Sequence, residues 1–411
     1  MKLTIVIPAL NEEEAIEKTI NRCQSAVSEI TVNTMITDVQ IVVVSDGSTD
    51  RTVQIAKRFS GIKLIVFENN RGYGAAIKAG WKFGQGDYLA FLDADGTCDP
   101  CYFVQMCQTI ETEKADVVIG CRMGKNSKMP IIRRFGNKLF ALLLKILSKK
   151  QITDSASGMR VVRRTSLNQL FPLPDGLHFT PAMSARVLLD RNLKIIEIDM
   201  DYEERIGISK LNVLKDGIRF LQTILSTALY IRPSSLSIPL STVIVGIGLI
   251  AAIKPIQHYI THGVVLDSMI YRFIILLLMG SAVMSLLCFT VISEHTIALT
   301  LLRYNQTVHI KQSWWTPNKM RIYLIAGGIL SVIAFLLILP GIKPFLKTGQ
   351  IHQETLHWSR MMLAGFLFLD FVQLILTALS IKVIDSLNTR QAYILKTGYP
   401  DVESDKVANT R

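Results

Sequence analysis

After Leu236 the chain carries four apolar runs, roughly Leu236–Ile253, Ile270–Ile292, Ile322–Leu339 and Met361–Ile384. Each is near the length of helix that a bilayer's hydrocarbon core requires. They account for a hydrophobic fraction of 49% and a mean hydropathy of +0.33, too apolar for an ordinary soluble enzyme. Pro340-Gly341 is expected to end the third span sharply. The segment joining the second and third spans holds Arg303, Lys311, Lys319 and Arg321, with Trp314 and Trp315 as interfacial anchors. By the positive-inside rule this connector, the N-terminal part and the C-terminal tail lie in the cytoplasm. An even number of spans returns both termini to one side, although Lys254, Lys343 and Lys347 in the outer loops weaken the charge bias. The expectation is an integral, multi-pass membrane protein with a soluble part ahead of its spans.

That soluble part alternates in character. Lys2–Pro8, Gln40–Ser45, Lys63–Glu68, Asp87–Asp93, Asp116–Cys121 and Lys194–Asp201 read as strands. Helical stretches fall at Glu13–Val27, after the capping turn Asp46–Asp50 to about Phe59, at Tyr73–Phe83, after Pro100, at Ile131–Lys149 and at Thr180–Asp190. Strands alternating with helices imply a mainly parallel, Rossmann-like sheet. Leu211–Leu229 has apolar residues at helical spacing with Lys215 and Arg219 interspersed. That pattern suits a helix lying on a membrane surface, or one packed on the domain. The expected order is therefore an α/β domain over 1–210, a juxtamembrane helix over 211–232, an all-α bundle of four transmembrane helices over 233–386 and a polar tail over 387–411.

The net charge is +12, which points to anionic partners: phosphates, lipid headgroups or nucleic acid. No stacking motif or recognition element accompanies the charge, so nucleic acid is set aside. Five cysteines (Cys23, Cys98, Cys101, Cys107, Cys121) lie in the α/β part and Cys288 in a span. Free thiols fit a reducing cytosol. Cys98-Asp99-Pro100-Cys101 has no second pair and no nearby histidine, which argues against zinc or redox chemistry. The apolar start stops at Leu10 and runs into Asn11-Glu12-Glu13-Glu14, too short and too acidic for a signal peptide. Gly72-Tyr73-Gly74-Ala75-Ala76-Ile77 follows the third strand and has Ile77 at the third-glycine position, so it is not read as a dinucleotide site.

Tyr88-Leu89-Ala90-Phe91-Leu92-Asp93-Ala94-Asp95 reads as a buried strand ending in two carboxylates. Ligands of open α/β sheets bind outside the carboxyl ends of the strands. Two acids that close repel unless a cation lies between them, and hard oxygen ligands suit Mg²⁺ or Mn²⁺. A bare Asp-x-Asp is also an ordinary strand-to-loop turn. Here it has companions in order: Pro8-Ala9-x-Asn11-Glu12, Ser45-Asp46-Gly47-Ser48-Thr49-Asp50, Asn70-x-Gly72 and Asp93-Ala94-Asp95-Gly96. Together they resemble family 2 glycosyltransferases with the GT-A fold. Asp154-Ser155-Ala156-Ser157-Gly158-Met159-Arg160 and Arg205-x-Gly207-x-Ser209-Lys210 narrow the likeness to the polyprenyl-phosphate group, which includes the dolichol-phosphate mannose synthases. The resemblance covers about Lys2 to Leu229.

The resemblance implies that Pro8, Ala9 and Glu12 cradle a nucleotide base, with Asp46 in the same pocket and Asn11, Gly47 and Ser48 from the same motifs. Asp93 and Asp95 would bind ribose, diphosphate and metal. Arg122, Arg133, Arg134, Arg160, Arg205 and Lys210 are candidates for holding donor diphosphate and acceptor phosphate, since guanidinium forks match phosphate oxygens. Ser157 lies inside one of the matched motifs. Arg133 and Arg134 are adjacent, so one of the two is expected to point inward. Asp93, Asp95, Arg122 and Arg205 are the expected catalytic set.

No residue announces itself as a catalytic base. Asp175 and His178 are the obvious candidates, and a loop with a helix cap explains them equally well. A phosphate monoester has a second pKa near 6 and is largely a dianion at neutral pH, so a lipid-phosphate acceptor needs no base. The implied reaction is inverting transfer of a hexose from a GDP- or UDP-sugar to a polyprenyl phosphate at the cytoplasmic membrane face. Two departures leave the donor open: Ser45 stands where many relatives have an Asp, and Thr97 where mannose-lipid synthases have a Gln near the metal. The alternatives are a processive polysaccharide synthase, whose usual Gln-x-x-Arg-Trp and Thr-Glu-Asp are missing, and a lipid-sugar transporter with a degenerate GT-A domain. A homo-oligomer stays open. Within the spans, Arg272, Glu294 and His295 sit near the ends, while Asp370 and Gln373 share a face and are read as packing within the bundle.

Overall fold

Short β-branched runs separated by amphipathic stretches build the first of two units, Met1–Arg232; the second begins at Pro233. The computed structural model describes residues 1–124, 126–207, 210, 212–263, 266–304, 319–349 and 356–397. The first unit runs β1 (Lys2–Ala9), α1 (Ile16–Asn33), β2 (Asp38–Asp46), α2 (Thr52–Ala56), β3 (Ile62–Phe67), α3 (Tyr73–Phe83), β4 (Tyr88–Leu92) and α4 (Tyr102–Thr112). It continues through β5 (Val117–Cys121), α5 (Ile131–Ser148), β6 (Met159–Arg163), α6 (Leu167–Leu170), α7 (Phe179–Leu189), β7 (Ile195–Asp199) and α8 (Val213–Ile231). The strands form one sheet in the order β3-β2-β1-β4-β6-β5-β7. Every pairing is parallel except those of β6, which runs against both β4 and β5.

Strand alternation sends side chains to opposite faces of the sheet. Leu3, Ile5 and Ile7 of β1 face α1 and α4, meeting Ile16, Ile20, Phe103 and Met106. Val6, Val42 and Phe91 face the other layer, where α3 and α7 supply Ala76, Ile77, Trp81, Phe179 and Met183. Trp81, Phe91 and Phe179 form a triangle of rings 5.7–6.0 Å apart. Each such fully buried side chain contributes on the order of 1.5–3 kcal/mol.

Strand β6 is absent from the sequence reading. It is only five residues long, and Arg160 and Arg163 interrupt its apolar pattern. Arg160 is nonetheless fully buried, because its guanidinium donates to backbone carbonyls inside the fold. Being antiparallel, β6 starts at the sheet edge where its neighbours end. That brings 154–158 to the carboxyl ends of β4 and β5.

Two amphipathic helices lie on the same unit. Helix α8 buries Phe220, Ile224 and Ala228 and packs on α5 and α7, with the Phe140 and Phe220 rings 5.9 Å apart. Its first turn is tied reciprocally: the Asn212 side chain accepts from the Lys215 N–H, and the Asp216 carboxylate accepts from the Asn212 N–H. Leu214, Ile218, Leu221 and Leu229 stay exposed along its other face. Helix α5 exposes Ile132, Phe135, Leu139, Leu142 and Ile146 at one-turn intervals.

The second unit is helical: α9 (Ser234–His262), α10 (Ile270–Tyr304), α11 (Lys319–Thr348) and α12 (Trp358–Thr397). Among the described residues, these four are long and apolar enough to cross a membrane. Helix α10 packs on α9 and α12, and α11 on α12. Pro340-Gly341 is expected from the sequence to end the third span sharply; the apolar span closes at Ile342, but helix α11 itself continues through Pro340 and Pro344 to Thr348. Proline is tolerated inside such helices because neighbouring groups re-satisfy the few carbonyls it orphans. Asp370 of α12 accepts a hydrogen bond from the Ser281 hydroxyl of α10 at 3.4 Å. Ser209, Leu211, Lys311, Trp314, Trp315 and the chain beyond 397 lie outside the described residues, as do the side chains of Arg303, Lys319 and Lys343.

Candidate active site

The carboxyl ends of β1, β2, β4 and β5 bring their following residues to one edge of the sheet. Asp93 and Asp95 follow β4 directly. The Tyr73 hydroxyl, at the first residue of α3, donates to Asp93 Oδ1 at 2.6 Å. Burial, and then the neighbouring Asp95 carboxylate, push the Asp93 pKa up, against the pull of the Tyr73 hydrogen bond and of Arg122 and Arg205. Asp95 Oδ1 accepts from the Thr97 hydroxyl at 2.6 Å and from the Thr97 N–H at 3.2 Å, and Asp95 Oδ2 accepts from Arg205 Nη1 at 3.0 Å. Thr97, the departure noted in the sequence, is fully buried and fixes the rotamer of Asp95.

Gly158 is the close neighbour on the other side. Leu92 pairs with Met159, so Gly158 stands opposite Asp93. A Cβ built on Gly158 would lie 1.8 Å from Asp93 Oδ2. Only a residue without a side chain lets the carboxylate sit there.

The nucleotide candidates occupy the ends of β1 and β2. Pro8 and Ala9 close β1 and pair with Val44 and Ser45. Asn11 is left-handed, at φ 48°, and its side chain accepts from the Thr49 N–H at 2.7 Å. The Asn11 N–H donates to Ser48 Oγ, which lies 3.0 Å from Ser45 Oγ. Ser45 therefore takes part in the turn as a hydroxyl partner of Ser48. Asp46 is buried, and its carboxylate accepts from the N–H groups of Arg71 (2.7 Å) and Gly72 (3.0 Å). Burial raises its pKa, and these backbone donors oppose the rise. Asp46 thus anchors the loop that delivers Tyr73 to Asp93. Gly47 turns the chain at φ +73°, with the backbone of Asn69 and Asn70 against its Cα.

The cations divide into two groups. Arg205 reaches Asp95 through Nη1 and Glu12 through Nη2, bridging the ends of β4 and β1. Lys210 Nζ donates to Glu12 Oε1 at 2.9 Å and to the Asn11 carbonyl at 3.0 Å. Backbone hydrogen bonds from Glu203 to Thr97 and from Ile206 to Asp95 hold this segment in place. Arg122 belongs with the first group by position. Its Nε and Nη2 form a two-pronged pair with Asp154 at 2.7 and 2.9 Å, leaving Nη1 as the remaining nitrogen, and its guanidinium lies over the Tyr202 ring.

The other basic candidates face structural partners. Arg160 donates to the carbonyls of Ser155 and Ser157, and its buried Nη1 has no partner. Burial lowers its pKa to about 10, still far above neutrality. The Ser157 hydroxyl donates to the Gly120 carbonyl at 2.6 Å. Arg134 Nη2 donates to the carbonyls of Met123 and Gly124, drawing α5 towards the end of β5, while Arg133 is half-buried beside it. Asp175 is exposed and pairs with Lys78; its carbonyl accepts the Ala75 N–H. His178 precedes α7, its pKa lowered by burial and by Arg219.

Sequence reasoning named Asp93, Asp95, Glu12, Arg122, Arg205 and Lys210, which the fold gathers along one edge. It missed Tyr73, Gly158 and Asn137; the Asn137 side chain joins Asp154 to Ser155. Tyr73 was visible only as the residue after Gly72. Its role depends on where α3 lies in space.

This edge of the α/β sheet gathers the Asp93 and Asp95 carboxylates with Arg122, Arg205 and Lys210. A family model described as glycosyl transferase family 2 matches residues 4–171. The dolichyl-phosphate hexose transferase of Haloferax volcanii is 30% identical over 234 residues, covering 55% of this chain and 94% of that protein. The chain belongs to glycosyl transferase family 2. The low-salt glycan biosynthesis hexosyltransferase Agl6 of the same organism is 30% identical over 233 residues, but the match spans only 54% of its length. The dodecaprenyl-phosphate galacturonate synthase of Rhizobium johnstonii is 22% identical over 56% of this chain and 68% of its own. Among solved structures, glucosyl-3-phosphoglycerate synthase of Mycobacterium tuberculosis aligns over 55% of this chain and 80% of its own, at 22% identity and a TM-score of 0.42.

The donor set fits a divalent cation. Asp93 and Asp95 offer hard oxygens at a strand end, and the Asp95 carboxylate disfavours charge on Asp93. Mg²⁺ commonly binds through one or two carboxylates and completes its shell with water and substrate phosphates.

Proposed function

We propose that this chain transfers a hexose, with inversion, from a GDP- or UDP-sugar to a polyprenyl phosphate at the cytoplasmic face of a membrane. The observation that carries the reading is the meeting of Asp93 and Asp95 with Arg122, Arg205 and Lys210 at one sheet edge. In the reaction an acceptor phosphate oxygen attacks the anomeric carbon, the bond from that carbon to the diphosphate breaks, and a nucleoside diphosphate leaves. Residues ending β1 and β2 hold the nucleoside, with the turn at Asn11, Gly47 and Ser48 shaping its pocket. Asp93 and Asp95 would hold Mg²⁺ or Mn²⁺, which when bound withdraws charge from the departing diphosphate. Arg122, stiffened by Asp154, and Arg205 stabilise phosphate charge on either side of the reacting carbon. The attacking group is already an anion near neutral pH, so the protein has to position it and need not deprotonate it. The exposed apolar stripes of α5 and α8 offer the prenyl chain and its membrane a surface next to this edge.

The test is purified full-length protein with Mg²⁺ or Mn²⁺, a panel of sugar nucleotides and a polyprenyl phosphate, read by the mass of the lipid product. A single hexose added to the lipid is the expected result, and Asp95→Asn should abolish it with the fold intact. No lipid-linked sugar from any donor would overturn the proposal, and a polymeric product would replace it with a processive synthase.

A further inference from the structure

At the far end of the second unit, two cations share one cleft. Lys254 stands 20 residues after Ser234, the first residue of α9. At about 1.5 Å per residue that is roughly 30 Å along the helix, the thickness of a hydrocarbon core. Arg272 lies in the first turn of α10, which packs back against α9. Both charges therefore fall at the headgroup layer opposite to the one where the chain enters the spans.

The cleft between them has a volume of about 250 Å³ and is lined by Ile250, Ala251, Lys254, Arg272 and Ile275. Its only charged groups are the two cations. Neither forms an ion pair with any described residue. The nearest acid in the sequence, Asp267, is engaged by the Trp358 indole N–H at 2.6 Å. One turn beyond Lys254, His258 Nε2 is buried without a partner. Like charges facing one cleft at a low-dielectric boundary repel, and the positive-inside tendency disfavours them on that side. An anion between them removes both costs.

We propose that Lys254 and Arg272 form a binding site for the phosphate headgroup of a lipid with net negative charge in that leaflet, with its hydrocarbon chain against Ile250, Ala251 and Ile275. A guanidinium fork and an ammonium together match a phosphate's oxygens. Basic pockets between transmembrane helices commonly hold anionic headgroups. The site stands apart from the strand-end chemistry and does not depend on the reaction proposed for it.

The experiment is native mass spectrometry of the full-length protein in mild detergent, with phosphatidic acid, phosphatidylcholine or inorganic phosphate added in separate arms. One phosphatidic acid retained per chain is expected, with at least tenfold less retained by Lys254→Gln/Arg272→Gln. Arg321→Gln, a cation near the other headgroup layer, should retain as much as the wild type. Arg272→Lys keeps the charge and should keep most of the lipid, which covers the case in which the double variant folds poorly. Equal retention by the double variant, equal retention of phosphatidylcholine, or occupation by inorganic phosphate in place of lipid would each overturn the assignment.

Discussion

Gly158 sets the position of Asp93 by having no side chain. Adding one methyl group at a point 1.8 Å from Asp93 Oδ2 forces either the carboxylate or the strand pairing to move. Gly158→Ala should therefore lower kcat/KM at least a hundredfold. Its cost in stability should be modest, about 1–3 kcal/mol, as for other overpacked sites. A thermal melt alongside the kinetics separates the two, and an active Gly158→Ala would disprove the placement of Asp93. The residues of this site were unequally legible. Asp93, Asp95, Glu12 and Arg205 stand in short motifs whose chemistry is local. Tyr73, Gly158 and Asn137 act across strand pairings and helix docking, through partners that lie 17–65 positions away in the chain. No spacing rule finds those.

At the scale of elements, the Arg122–Asp154 pair ties the end of β5 to the loop before β6. Burial alone would raise the Asp154 pKa, but Arg122 and the hydrogen bonds from Arg122 and Asn137 outweigh it and hold the carboxyl below its ordinary range. An acid depressed in the folded state stabilises the fold above its unfolded pKa, about 3.9, and loses that contribution as the pH falls towards the folded value. The melting temperature of the wild type should fall below about pH 4, the ordinary range of aspartate. Asp154→Asn should lose about 3–5 kcal/mol at pH 7 by stranding Arg122, and should show a flatter acid limb. An acid limb identical to the wild type's would show that Asp154 does not carry it. Helix α5 makes a separate prediction. Phe135→Asp with Leu139→Asp, on its exposed stripe, should weaken transfer to a long-chain polyprenyl phosphate about tenfold or more and spare a short, water-soluble prenyl phosphate. Equal loss on both acceptors would mean that the stripe does not meet lipid. The amphipathic spacing of α8 was readable from sequence, and α5 was readable as a helix. The antiparallel β6 was not, since its arginines hide the alternation and only the neighbouring strands make it a strand.

For the whole molecule, the alternation of strands with helices and the four apolar runs already separated an α/β unit from a helical one. The helices extend past the apolar runs because their ends are amphipathic, as at Pro255–His262, and because Pro340 does not break α11. The expected orientation has a direct check. Cys101 is the exposed cysteine among the described residues, and it lies in the α/β unit. A membrane-impermeant maleimide should label it in inside-out vesicles and leave it unlabelled in right-side-out ones. Labelling from the opposite side would invert the proposed topology.

Arg205 joins Asp95 to Glu12, and Lys210 pairs with Glu12 as well, so both carboxylates already have cationic partners before any substrate arrives. Loading it would then be an exchange of partners: Asp95, in holding Mg²⁺ or Mn²⁺, would release Arg205 Nη1 to receive the diphosphate while Nη2 stays on Glu12. Metal and donor nucleotide should consequently bind as a cooperative pair, each weakly when offered alone. Calorimetric titration would show the nucleotide's affinity rising at least tenfold when Mg²⁺ or Mn²⁺ is present, and Arg205→Gln should abolish most of that gain.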